Sequence, residues 1–164
     1  MKKIISLVFL LNFLALSTQC SDYKPIFASS NINFKIANHL IEGNKILGNK
    51  IYAKLLNLSK SKKNKKEAKN IDIIINVSKD KNPTSKDGAG KVLEYKITLS
   101  SKIIVKDFKN NNELVNHTFV SSQSYKIQDQ YSDTLALENQ TTENLTNKTY
   151  QELLIKLSEN IILK

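Results

Sequence analysis

The sequence has no arginine and no tryptophan, one cysteine, two prolines, two histidines and four glycines in 164 residues. Each shortage excludes something. A single cysteine rules out an internal disulfide framework and any cysteine-rich zinc module. Two isolated histidines and four glycines leave little for a metal centre or a phosphate-cradling loop. The chain offers no Ser/His/Asp grouping, no motif of paired carboxylates and no cysteine nucleophile outside its leader. The composition argues against an enzyme.

Lysine, asparagine and isoleucine are abundant, at 25, 19 and 19 residues. Their joint enrichment, with arginine absent, reads as compositional drift rather than selection for chemistry. The N-x-S/T triplets at Asn57, Asn76, Asn116, Asn139, Asn144 and Asn147 follow from the same bias and are not read as glycosylation sites. The net charge is +10, and 40% of the residues are apolar, enough for one core.

Lys2 and Lys3 precede an apolar run at 4–16, then a polar stretch ending in Cys20. A charged start, a short apolar segment and a polar end describe an export leader. The run has about 13 residues, and a membrane span needs roughly 20. The only cysteine directly follows it, as in the lipobox of bacterial lipoproteins, where cleavage precedes a cysteine that is then acylated. Gln19 stands where that pattern has a small residue. The expected organisation is a leader at 1–19, a lipidated tether at 20–30 and one domain at 31–164. With Lys2 and Lys3 gone the remainder is still basic. Outside the cytoplasm, a nucleic-acid role is not expected of it.

Ile32, Phe34 and Ile36 alternate with polar residues and predict a strand that can continue to Ile41. Leu47, Ile51, Leu55 and Leu58 form a helical stripe, with Asn44 as its N-cap and Gly48 as a weak point. Six lysines at 60–69 read either as an anion-binding patch or as a solvated helix end and loop. Ile71, Ile73, Ile75 and Val77 predict a second strand, and Ile74 on its other side suggests partial cover there. Residues 79–90 read as a loop. Leu93 to Val105 then alternate over about 14 residues, a strand of roughly 45 Å. Such length requires a bulge or an arm reaching past the core. Asn-rich residues 109–112 turn the chain into a return strand at 114–127, where His117 reads as a strand histidine rather than a ligand. Ser132 or Asp133 would cap a last helix. Its second half carries the apolar stripe. Its polar first half, 139–147, reads as a weakly held turn or as a partner-facing surface. The order β-α-β-β-β-α gives an α+β two-layer sandwich: a four-stranded, mostly antiparallel or mixed sheet with two helices on one face.

With these elements placed, the chain resembles the lipopolysaccharide-assembly lipoprotein family, LptE. The resemblance rests on Cys20 followed by Tyr23-Lys24-Pro25-Ile26-Phe27, on the element order, on the long hairpin and on the block from Tyr125 to Glu138. It implies an outer-membrane lipoprotein on the periplasmic face. Such a protein plugs the lumen of a large LptD-type β-barrel, assists its assembly and takes part in lipopolysaccharide placement. It implies acyl chains on Cys20, no bond-making chemistry and no cofactor. A basic domain has the sign to meet lipopolysaccharide phosphates. Lys79, Lys81, Lys86 and Lys91, with Lys96 and Lys102 on the long strand's polar face, are the candidate head-group contacts. The alternative is an exported basic lipoprotein that binds another envelope ligand or protein.

Overall fold

The computed structural model describes residues 32–61 and 68–162. The leader, the tether with Cys20 and the lysines at 62, 63, 65 and 66 lie outside the described residues. Six elements follow in the expected order: β1 (Phe34–Gly43), α1 (Lys45–Ser61), β2 (Lys69–Lys86), β3 (Val92–Asp107), β4 (Glu113–Lys126) and α2 (Tyr131–Ile162). They form one sheet of order β1-β2-β3-β4. β1 and β2 are parallel, with α1 as the crossover, and the other neighbours are antiparallel. Both helices cover one face, α1 over β1 and β2, α2 over β4 and β3. The fold is an α+β two-layer sandwich with a mixed sheet.

Alternation builds the inner face. Ile71, Ile73, Ile75 and Val77 of β2 lie beside Ile97, Leu99, Ile103 and Val105 of β3, all buried. Leu47, Ile51 and Leu55 of α1 and Leu145, Leu153 and Leu157 of α2 close over them. Asn44 caps α1 as expected: its Oδ1 accepts from the Leu47 N–H at 3.2 Å. The chain enters α1 through Gly43 at φ +66, where a Cβ would lie 2.3 Å from the Val77 carbonyl oxygen. Only glycine fits there. Asn111 takes the left-handed conformation at φ 59 in the turn between β3 and β4.

Four expectations change. Residues 79–86 are strand, not loop, because the long β3 supplies a partner as far as Lys86↔Val92. β1 ends opposite Val77, so Pro83 sits on an open edge where its missing N–H costs little. The pairing of β2 with β3 is irregular only near Ser85, where the hairpin runs past the core. The expected cover over Ile74 is not a second layer. Ile74 instead lies between Leu40 and Ile104 in register on the helix-free face. α2 starts two residues before the expected caps: the Thr134 N–H donates to the Gln130 carbonyl at 3.2 Å.

The fourth change concerns the polar half of α2, which is not a weak turn: its threonines pack inward, while Asn139, Gln140 and Asn144 stay exposed. Thr141, Thr142, Thr146 and Thr149 are buried and continue the stripe of Leu145, Leu153 and Leu157. The hydroxyls of Thr142 and Thr146 donate to the carbonyls of Glu138 and Thr142, each at 2.8 Å, so burial costs them little. The Thr149 hydroxyl is buried without a partner. Thr149→Val keeps the volume and removes that unpaired group. It is expected to raise unfolding stability by about 1 kcal/mol in urea titration. Gly48 packs against Ile41, where a Cβ would sit 2.5 Å from Ile41 Cγ2. Gly48→Ala is therefore expected to lose about 1–2 kcal/mol in the same assay, although alanine is the better helix former.

Candidate functional site

Beyond Val77 the inward alternation of β2 continues, but with Lys79 and Lys81 in place of isoleucine and valine. β4 brings Tyr125 to the same end of the sheet, and its register partner on β3 is Tyr95. α2 starts just past β4 and runs back over the sheet, which hangs Glu138 above these groups. The Glu138 carboxylate accepts from Lys79 Nζ at 3.1 Å, Lys81 Nζ at 2.6 Å and the Tyr125 hydroxyl at 2.9 Å. Lys81 Nζ also stands 4.4 Å from the Tyr95 ring centroid. The result is two ammonium groups, one carboxylate and two rings, half sheltered between strand and helix.

Burial alone would raise the Glu138 carboxyl. The hydrogen bonds from Lys81, Lys79 and Tyr125 outweigh it and hold the group down at about 2. The hydrogen bond to Glu138 drives Lys81 up from the ordinary lysine range. Burial pushes the Tyr125 phenol up. All three groups therefore keep their usual ionisation at neutral pH. Such a carboxylate is a poor general base, and the cluster is built to hold charge rather than to move protons.

The six candidate lysines are not brought together. Lys79 and Lys81 are committed to Glu138. Lys86 and Lys91 flank the β2–β3 turn, where Asp87 Oδ1 accepts from the N–H groups of Ala89 and Lys91 at 2.9 Å each. Lys96 and Lys102 stand on the helix-free face of β3, opposite Asn82 and Asn76. Among the described residues, these last four make no ion pair within 4.0 Å. Of the lysine run, Lys60 is exposed in the last turn of α1 and Lys69 pairs with Asp107 at 3.3 Å. Hydrogen bonds led by the Lys109 N–H hold that carboxylate below its usual range.

The sequence reading missed Glu138. Tyr125 and Glu138 open and close the very block that carries the resemblance. Two lysines at i and i+2 on an inward strand face also signal a buried acidic partner. A second, weaker tie joins the helices: Lys50 and Lys54 of α1 meet Glu143 of α2 at 2.8 and 3.5 Å.

The folded-state value of Glu138 lies below its unfolded value of 4.5. Its contribution is complete above pH ~5 and is lost as pH falls from about 4.5 towards 2. Glu138→Gln is expected to cost about 2–3 kcal/mol at pH 7, allowing for partial exposure of the lysines, and much less at pH 3. Urea midpoints of both proteins at the two pH values check this.

No protein-family model and no curated protein matches the chain. Solved structures do share its fold. A lipoprotein candidate from Caulobacter crescentus superposes with a TM-score of 0.52 at 16% identity, over 76% of this chain and 88% of that one. Uncharacterized lipoprotein B from Nitrosomonas europaea gives 0.52 at 17% identity, over 74% of this chain and 82% of the other. The chain is thus similar in fold, over most of its length, to two proteins described as lipoproteins.

Proposed function

We propose that the chain is an exported lipoprotein, anchored by acylated Cys20 on the periplasmic face of the outer membrane. There it plugs an LptD-type β-barrel during lipopolysaccharide assembly. One conjunction carries the reading. The sole cysteine directly follows an export leader, and the domain behind it has a fold found in proteins described as lipoproteins.

The surface is compatible with this role. Thr98, Ser100, Ser122 and Ser124 lie on the helix-free face, and the lumen of such a barrel is polar. Lys86, Lys91, Lys96 and Lys102 remain available to anionic head groups as point charges. Lys79 and Lys81 contribute in this reading by holding the hairpin to α2. The role is binding and placement, without catalysis.

The test is affinity purification of the tagged protein from detergent-solubilised envelopes, with the mature N-terminus read by mass spectrometry. The expected result is an equimolar complex with a large outer-membrane barrel, and a chain that starts at acylated Cys20. A protein that purifies alone, or an unmodified Cys20, would overturn the plug reading and favour an exported domain with another ligand.

A further inference from the structure

The two edges of the sheet are built differently. β1 is interrupted by a bulge between Ile36 and Asn38, and Lys35 and Glu42 stand near its ends. Bulges and edge charges deter a foreign strand. β4 has neither along most of its length. Residues 115–125 contain no lysine, aspartate, glutamate or proline, and their pairing with β3 is regular, the one register shift falling at Leu114 beside the end charge Glu113. Among the described residues, β4 pairs on one side only. It therefore leaves a row of free N–H and C=O groups about 40 Å long. A groove follows this edge, floored by Phe119 and Val120 and walled by Glu152, Ile155 and Lys156 of α2.

We propose that, when no barrel partner is bound, β4 pairs with β4 of a second copy of this chain, antiparallel about a two-fold axis near Phe119 and Val120. The sheet then continues across two chains. That axis lies at the centre of the uncharged stretch, so no lysine of either β4 falls among the paired strand residues. The same level of α2 carries Glu152 and Lys156 on the groove wall. A two-fold axis there sets the two α2 helices antiparallel across the seam. Glu152 then faces Lys156 of the second copy, and Lys156 faces its Glu152. One complementary pair is thus made twice, the mark of an isologous interface. Both side chains are free to do so, at 37% and 44% exposure. Their internal partners, Lys148 at 4.0 Å and Glu159 at 3.1 Å, are surface pairs of little strength. A strip about 40 Å long and two layers deep covers about 800 Å² per copy, the size of a standard stable interface.

The test uses the full chain in mild detergent, followed by sedimentation equilibrium over about 1–100 µM. The wild type is expected to dimerise. Val120→Lys with Ser122→Lys changes two exposed edge positions away from the core and is expected to leave only monomer, with an unchanged circular dichroism spectrum. Glu152→Lys and Lys156→Glu are each expected to weaken the dimer about tenfold, and the double swap to restore it. A wild type that stays monomeric throughout would overturn the proposal. So would a dimer that ignores both the edge lysines and the charge swap.

Discussion

The architecture depends on one carboxylate. β2, β3 and β4 run well past the end of β1 and past α1, so the far half of β2 lacks the helix that covers its near half. Left alone, a three-stranded extension with lysines on its inner face would present charge where a core belongs. Glu138 resolves this by drawing Lys79, Lys81 and Tyr125 onto a single group at the start of α2. It fixes where α2 sits on the sheet, and so which residues of α2 fall into the core. The buried threonines follow from that placement. Next to a sheet rich in isoleucine, short β-branched side chains let the helix lie close, and their hydroxyls turn back to the helix carbonyls.

The consequence for function is a division among the lysines. Net charge alone treats them as one basic population. The structure separates a pair spent on internal order from four that stand at the β2–β3 turn and on the helix-free face. Contact with an anionic surface through the four would be salt-sensitive and only weakly selective in geometry, since an ammonium offers a point charge rather than a fork. The pair is shielded by its carboxylate and the tyrosine rings.

Much of the fold was legible in the residues. The alternation of β3 and the stripes Leu47-Ile51-Leu55 and Leu153-Leu157 are local patterns, and they placed the elements. Asn44 was legible because capping is a one-turn interaction. The far half of β2 was not, because Pro83 and the polar residues around it read as a loop until β3 is there to pair with. The inward packing of the threonines in α2 was not legible because threonine counts as polar in a periodicity test while it packs as a β-branched residue. Glu138 escaped because its partners lie 13 to 59 positions away along the chain, a separation that only the tertiary fold closes. Cys20 is the opposite case. Its meaning lies wholly in the sequence around it.

The account turns on whether Glu138 and Lys81 act as a coupled pair or merely lie near one another. A double-mutant cycle with Glu138→Gln, Lys81→Met and the combined variant, read by urea unfolding at pH 7, measures this directly. The account predicts a coupling of about 1–2 kcal/mol, diminishing as the carboxylate is protonated at low pH. Additive losses within about 0.5 kcal/mol would contradict it and would leave α2 held to the sheet by apolar packing alone.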